Sequence, residues 1–488
     1  MTRARDLAEI ATKDITGTVT VDGLVVAGNV SVDSGTIKLD GNYPTGTGNV
    51  ALGDTALDSV QSGGDNNVAI GHNAGTAITT GVQNTLIGSL AGDALTTGGE
   101  NVAVGMLALS AEDGHGQNVA VGTQALASQN AGANGNNTAV GYLAGRSVTT
   151  GLQNTLIGSH AGDALTDGAM NVAVGYSALG SEDTSTQSVA IGHNALAAQN
   201  VSAGSAHNVA IGSQAGLSVT TGQYNTLIGS LAGDALTTGQ YNVALGYNAL
   251  TAEDTGSRNT AIGYEALEDL NFDGDGYNTA VGFLAGNKVS TGESNNLIGG
   301  LAGDALTTGS YNTAIGVNAL SADTKGSRAI AIGHGALFYQ NFTSATDNYN
   351  VAIGHNAGLN VTTSTHNVLI GGQTGDAITT GISNTLVGAE AGGAITTGYE
   401  NTFVGRNAGA AITDSYNNTF IGRNAGSAIT SGVGNTIIGK FNGNQNGLDI
   451  RTANHYIVIS DGTATPRLWW DGSAWNGISS GGTAFSAF

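Results

Sequence analysis

The sequence predicts an all-β solenoid made of many short coils. One five-residue phrase occurs 23 times between Asn49 and Gly439: Asn, usually a β-branched residue, an apolar residue that is most often Ala, then Ile, Val or Leu, and Gly. Successive copies start about 17 residues apart, and the chain holds 79 glycines but only 2 prolines among its 488 residues. A fixed short period is typical of solenoids, in which each repeat forms one coil and stacks on the next.

Each copy of the phrase has the composition of a short strand closed by a turn. In Asn225-Thr226-Leu227-Ile228-Gly229, two β-branched residues and a leucine lead into a glycine. A second corner is predicted where Thr-Thr-Gly recurs, as in the segment 237–239. Coils of this kind pair in parallel about 4.8 Å apart, so 23 of them make a rod of roughly 110 Å.

The side chains of the phrase raise the question of which face points outward. With Asn as position zero, positions one and three share a face and position two points the other way. Position two is apolar in every copy, which predicts a strand that is apolar on both sides and therefore covered on both sides. We expect sister chains to supply the outer cover in a closed homotrimer or dimer, unless the alanines at position two are simply tolerated in water. The assembly-interface candidates are Leu86, Leu156, Leu227, Leu297, Phe403 and Phe420.

The 17-residue repeats are themselves grouped into a longer repeat of four coils. The coils that begin at Asn118, Ser188, Asn259 and Ala329 are two to four residues longer than the others, and they recur every fourth coil. We expect the extra residues to bulge at one corner of the rod, about 19 Å apart.

The segments before the rod predict an attachment region and a connector. Residues 1–16 carry particle-attachment candidates, Arg3 and Arg5 with Leu7 and Ile10 at helical spacing, and the competing interpretation is a frayed terminus. Residues 17–48 alternate apolar and polar side chains, which predicts short strands that lead into the shaft at 49–440.

The last segment, 441–488, departs from the repeat and holds all three tryptophans. Trp469, Trp470 and Trp475, with Tyr456 nearby, predict a cap for the open end of the solenoid. The same aromatic residues are candidates for contact with a host receptor, and the two interpretations are compatible.

Composition argues against several other functions. The formal charge is −22 with only 14 scattered Lys and Arg residues, which disfavours a nucleic-acid binder. The chain has no cysteine and no histidine spacing typical of a metal site, so we expect no catalytic residues, no metal and no cofactor. The pairs Glu112-Asp113, Glu182-Asp183 and Glu253-Asp254 are adjacent residues rather than opposed carboxylates, and we expect them on a solvated face. No stretch approaches the length of a membrane span, which predicts no membrane insertion.

The repeated phrase resembles the head repeat of trimeric autotransporter adhesins. Asn-Val-Ala-Ile-Gly followed by Ala, as at 67–74 and 208–215, carries the resemblance, which covers roughly residues 49–440. Those heads are left-handed parallel β-rolls built as trimers, and the same repeat type occurs in bacteriophage tail fibres. The sequence departs from the adhesins in that we expect neither their signal peptide nor their coiled-coil stalk and barrel anchor. The opening Met-Thr-Arg-Ala-Arg-Asp-Leu-Ala-Glu-Ile-Ala resembles the N-terminal segment of tail-fibre proteins in marine and cyanobacterial phages.

Together these features predict a left-handed parallel β-solenoid of about 23 coils assembled as a parallel homotrimer. The expected function is that of a phage tail fibre, made in the host cytoplasm and carried on the virion. Its N-terminus would bind tail or adaptor proteins, and its distal end would bind a polysaccharide or protein of the host surface. A bacterial surface adhesin is the alternative, and a polysaccharide-degrading tailspike is a third hypothesis.

Overall fold

The computed structural model describes residues 46–202, 204–478 and 484–487, the last four and Ile478 by backbone alone. The attachment candidates Arg3, Arg5, Leu7 and Ile10, and the connector up to residue 45, lie outside the described residues. Within the described ranges all regular secondary structure consists of β-strands. No helix long and apolar enough to cross a membrane is found in them.

Nearly every strand consists of positions one to three of the repeated phrase. Short strands and bridges at the long coils, together with a C-terminal meander, complete the set. The strands are β1 (Val50–Leu52), β2 (Val68–Ile70), β3 (Thr85–Ile87), β4 (Val102–Val104), β5 (Val119–Val121), β6 (Thr138–Val140), β7 (Thr155–Ile157), β8 (Val172–Val174), β9 (Val189–Ile191), β10 (Val209–Ile211), β11 (Thr226–Ile228), β12 (Val243–Leu245), β13 (Thr260–Ile262), β14 (Thr279–Val281), β15 (Asn296–Ile298), β16 (Thr313–Ile315), β17 (Gly326–Ser327), β18 (Ile330–Ile332), β19 (Thr346–Asp347), β20 (Val351–Ile353), β21 (Val368–Ile370), β22 (Thr385–Val387), β23 (Thr402–Val404), β24 (Thr419–Ile421), β25 (Thr436–Ile438), β26 (Asn444–Gln445), β27 (Leu448–Asp449), β28 (Ile457–Ser460), β29 (Pro466–Trp470), β30 (Trp475–Ile478) and β31 (Ala484–Ala487).

Each three-residue strand pairs in parallel and in register with the strand of the next coil. In β10 and β11, for example, Val209, Ala210 and Ile211 lie beside Thr226, Leu227 and Ile228. The pairing continues from β1 to β28, so the described chain forms a parallel solenoid of about 24 turns. At about 4.8 Å per turn this is a rod of roughly 110 Å, and the predicted all-β parallel solenoid with coils about 17 residues apart is confirmed.

The glycine at position four lets the coils stack closely. Gly229 has a φ of 136°, and a Cβ built on it would lie 2.6 Å from the carbonyl carbon of Gly246 in the next coil. Any other residue would therefore clash with neighbouring backbone as well as adopt a strained conformation. This explains why the phrase always ends in glycine.

The long coils bulge at one corner, as predicted. β17 pairs with β19 there, and the isolated bridges Thr186–Ser205 and Ser257–Asp275 occupy the equivalent place in earlier blocks. The extra residues therefore extend the coil without disturbing the register of the main sheet.

The interior is lined by position two, which corrects the predicted orientation of the strand. Leu227 has no exposed surface, and Gly233, six residues later, leaves room for it. In the next coil the sizes are exchanged: Ala244 occupies position two and Leu250 occupies position eight. In both of these coils one large and one small residue share the interior at positions two and eight, and the outward side chains belong to positions one and three.

A ladder of asparagine side chains runs through the interior at position zero. Asn225 donates from Nδ2 to the carbonyl oxygen of Gly239 at 2.9 Å within its own coil. Its Oδ1 accepts the backbone N–H of Asn242 at 3.0 Å, and its own N–H donates to Oδ1 of Asn208 at 2.9 Å. These bonds satisfy backbone groups at the corners, where strand pairing no longer does so.

Candidate functional site

The most extensive candidate site is the outward side of the parallel sheet, formed by positions one and three of every coil. We call it the outer face. Position three is Ile, Val or Leu in all 24 turns from Leu52 to Ile459, and several of these side chains are substantially exposed. Ile157 is 40% exposed and Ile438 is 45% exposed. Position three therefore forms a continuous aliphatic strip that the single chain leaves in contact with water, whereas position one is Thr in 11 of the 24 turns and Asn in one.

Stacked aromatic side chains border the outer face along one side. They belong to the residue that immediately precedes the Asn of each coil. Tyr224 and Tyr241 stack with their ring centroids 5.0 Å apart, and the Arg258 guanidinium lies 5.0 Å from the Tyr241 ring centroid. Arg258 also pairs with Asp275 at 3.0 Å and approaches the Tyr277 ring at 5.8 Å. In-register stacking brings equivalent residues of successive coils together, and such contacts stabilise the edge of the sheet.

A second aromatic border is formed by the residues at position five. Tyr247 and Tyr264 stack at 5.5 Å, and Tyr264 and Phe283 stack at 5.4 Å. The rings are about half exposed. Both borders widen the apolar character of the outer face beyond its aliphatic centre.

The size of the outer face exceeds what a stable protein interface needs. Three residues of strand span about 10 Å, so a strip of roughly 110 Å in length covers about 1,100 Å² per chain. Specific interfaces bury about 800 Å² per partner. The outer face, with its aliphatic strip and the threonines beside it, is therefore long enough to serve as an interaction surface.

The predicted assembly residues do not belong to this surface. Their side chains have no exposed area and pack inside the coils of their own chain, so they cannot contact a partner: Leu86, Leu156, Leu227, Leu297, Phe403 and Phe420. Phe403 and Phe420 instead stack on each other in the interior, with centroids 4.7 Å apart. The prediction for these residues was wrong because strand alternation alone does not say which apolar face is inside.

The aromatic residues near the C-terminus close the solenoid. β28, β29 and β30 pair antiparallel, and Trp469 lies opposite the buried Val458 and packs against the core. Tyr456 takes the place of the ladder asparagine, and its N–H donates to Asn435 Oδ1 at 2.8 Å. Trp469 and Tyr456 therefore act as capping residues.

The other two tryptophans lie on the opposite side of the same meander. Trp470 is paired with Ile457 in register, and its ring centroid lies 5.8 Å from that of Trp475. Both are partly exposed. The Asp471 carboxylate accepts hydrogen bonds from the Ser473 hydroxyl and backbone, which holds its pKa below the usual range and fixes the turn between β29 and β30.

Cavities along the described chain are shallow. A groove of about 530 Å³ is lined by Tyr339, Asn360, Thr362, Ala377 and Thr379. A smaller recess of about 110 Å³ beside Trp469 is well below the 300–1,000 Å³ of typical small-molecule sites.

The glutamates of the Glu-Asp pairs are buried, which overturns their expected place on a solvated face. Glu112, Glu182 and Glu253 have no exposed surface, and Asp323 occupies the equivalent position in the fourth block. Burial raises the pKa of Glu253 to about 7, although backbone N–H groups of Gly256 and Phe272 donate to its carboxylate and oppose the shift. A signal for these positions was present in the sequence, because the acids recur every 70 or 71 residues at a position where the preceding coil has Leu.

No family model, curated protein or solved structure matches this chain.

Proposed function

We propose that this chain is the fibre protein of a phage virion, which attaches the particle to its host as a parallel homotrimer. The observation that carries the proposal is the outer face: a long rod exposes one unbroken aliphatic strip along its whole parallel sheet. Strands that are apolar on both sides are normally covered on both sides. Copies of the same rod provide a cover of matching length and period, and closed symmetry hides the strip on every copy.

A rod of this kind acts by reach and by multiplicity. Three identical distal ends held at fixed spacing bind a surface with higher avidity than one end, without any new contact. In the proposed fibre, residues 1–16 bind tail or adaptor proteins, and the C-terminal segment binds a polysaccharide or protein of the host surface. Trp470 and Trp475 are the contact residues we favour, because they lie away from the core that Trp469 covers.

The oligomeric part of the proposal is tested by mass. Light scattering of the purified chain should give about 145 kDa, three times the chain mass of 48.3 kDa. A value of about 97 kDa would replace the trimer by a dimer, and a stable monomer at micromolar concentration would contradict the proposed cover of the outer face.

The attachment part is tested separately on cells. The purified fibre should bind the host and compete with adsorption of the phage, and replacing both Trp470 and Trp475 by Ala should abolish this without changing the mass. Tyr339→Ala, which removes an exposed aromatic side chain of the shaft outside both aromatic borders, is the matched control and should bind as the wild type does. Equal binding by all three proteins would contradict a role for the two tryptophans.

A bacterial surface adhesin is the second candidate, and the resemblance of the Asn-Val-Ala-Ile-Gly phrase to adhesin heads favours it. Antibodies against the chain distinguish the two functions by electron microscopy. Labelling of tail appendages on particles supports the fibre, whereas labelling of a cell envelope supports the adhesin. Release of reducing sugar from host polysaccharide by the pure chain would instead support the tailspike.

A further inference from the structure

Four buried acids occupy the same interior position in successive blocks of the solenoid, and the number of hydrogen bonds that they accept differs between blocks. The Glu182 carboxylate accepts N–H bonds from Asp183, Thr184 and Ser185, and Gln199 of the next coil donates Nε2 to its Oε2 at 2.9 Å. Asp323 receives backbone N–H bonds and the Nε2 of Gln340 at 2.6 Å. In both blocks the buried charge is thus met by several donors, as burial requires.

Glu112 lacks this set of donors. Its Oε1 accepts one backbone N–H, that of His115 at 3.1 Å, and its Oε2 is buried without a hydrogen-bond partner. Gln129 stands where Gln199 and Gln340 stand in the later blocks, yet its buried Nε2 has no partner either. A fully buried carboxylate with so few donors favours a positive charge nearby.

A histidine replaces a small residue at this corner alone among the four. The residue three positions after the acid is Ser185, Gly256 or Gly326 in the other blocks, and it is His115 here. The His115 Nδ1 atom lies 3.5 Å from Glu112 Oε1 and has no hydrogen-bond partner. Asp113, which is exposed, completes a group whose three ligand atoms lie within 4.8 Å of one another.

We propose that Glu112, Asp113 and His115 bind a divalent transition-metal ion of the zinc class. Ligands at 2.0–2.2 Å from a tetrahedral ion are about 3.4 Å apart, and the Nδ1–Oε1 separation of 3.5 Å already matches this spacing. The exposed Asp113 side chain has the freedom to close the third edge, and water supplies the fourth ligand. An imidazole ligand favours zinc, cobalt or nickel over calcium and magnesium, which prefer oxygen ligands only.

The ion would act as a structural clamp at this turn of the rod. It supplies the positive charge that the Glu112 carboxylate lacks and ties the corner 112–115 together. Burial raises the pKa of Glu112, as expected for a carboxylate short of donors, so protons compete with the ion in mild acid. The sequence alone predicted no metal, because the three ligands lie within four residues and one of them is fully buried.

The test is metal titration of the full-length, untagged chain after treatment with a chelator. We expect one equivalent of Co²⁺ per chain with the visible absorption of a four-coordinate site, displacement of Co²⁺ by Zn²⁺, and a rise in the unfolding midpoint of the metal-loaded protein. Mg²⁺ and Ca²⁺ should give neither signal.

Two variants and one control make the result specific. His115→Ser installs the residue of the second block, and Glu112→Gln removes the charge while keeping the shape; each should weaken Co²⁺ binding at least tenfold. Without metal, Glu112→Gln should unfold at the same temperature as the wild type or higher, which shows that it folds. Asp183→Asn, the counterpart of Asp113→Asn in a corner without histidine, should bind Co²⁺ as the wild type does. Absence of Co²⁺ binding, or equal affinity in His115→Ser, would overturn the proposal.

Discussion

At the scale of single residues, the asparagine ladder supplies hydrogen bonds to buried backbone groups. Asn225 satisfies the N–H of Asn242 and the carbonyl of Gly239, and both groups are buried. We expect Asn225→Ala to leave both without a partner and to lower the local free energy of unfolding by about 2–4 kcal/mol. Hydrogen exchange at the amide of Asn242 measures this directly.

Thr226→Ala is the control for the ladder, because Thr226 is the next residue and points outward. Its effect should stay below about 1 kcal/mol. The chain offers a natural exception at Ala329, where Asn348 of the bulge accepts the N–H of Asn350 in place of the missing side chain. Equal effects of the two substitutions would refute the role assigned to the ladder.

The buried acids make stability depend on pH. The pKa of Glu253 is about 7 in the folded chain because burial disfavours its charge, against an ordinary value of 4.5. Between these two values the folded chain keeps a proton that the unfolded chain releases, so stability falls as pH rises through this window. The effect is at most about 3 kcal/mol. Glu253→Gln should flatten the decline in unfolding midpoint between pH 5 and 8.

The block of Glu253 lacks a side-chain donor that two of the other blocks have. Leu270 stands where Gln199 and Gln340 donate to the acids of other blocks. Leu270→Gln should supply the missing donor, lower the pKa of Glu253 and reduce the decline of stability with pH. An unchanged pH profile in Leu270→Gln would show that desolvation is not relieved by this neighbour.

At the scale of the coil, positions two and eight share one volume. Leu227 faces Gly233, whose added Cβ would approach Leu227 Cδ2 and Leu236 Cδ1 at 2.8 Å. We expect Leu227→Ala to cost about 2–5 kcal/mol by leaving a cavity, and Gly233→Leu to cost a similar amount by overpacking. The double variant reproduces the Ala244 and Leu250 pair of the next coil and should recover at least half of the summed loss.

A double-mutant cycle on thermal or denaturant unfolding measures the recovery. Leu250 itself has a φ of 57°, so leucine is compatible with the backbone of position eight. Additive losses in the double variant would mean that the two positions do not share space.

The sequence predicted the coils and their register, but it did not predict which face of the strand is buried or where the acids lie. The 17-residue period and the closing glycine were sufficient to predict parallel coils in register, since both are local and repeated. The inward face was assigned wrongly because the strand is apolar on both faces, and the alternation of side chains alone does not say which face lines the interior. Burial of Glu112 and Glu253 was missed for a related reason: a charged side chain predicts a surface unless the coil position is read first.

At the scale of the whole molecule, the proposed assembly depends on the exposed face rather than on the interior. A substitution inside a coil damages the single chain, whereas a substitution on the outer face changes only what that face can bind. The two effects separate cleanly in one strand, because Leu227 is fully buried and Ile228 points outward beside it.

We therefore expect Ile228→Asp combined with Ile262→Asp, two coils further along, to weaken the homotrimer while leaving the coils folded. The added carboxylates would be buried without partners in an assembled outer face, a cost that a dissociated chain avoids. Light scattering should shift from about 145 kDa toward 48.3 kDa, with an unchanged circular dichroism spectrum. Leu227→Asp should instead lower the unfolding midpoint, because it places the charge in the interior. Thr238→Asp, at an exposed residue of the Thr-Thr-Gly corner outside the outer face, is the control and should keep the mass of the wild type. A loss of mass in that variant as well would show that the outer face is not what holds the copies together.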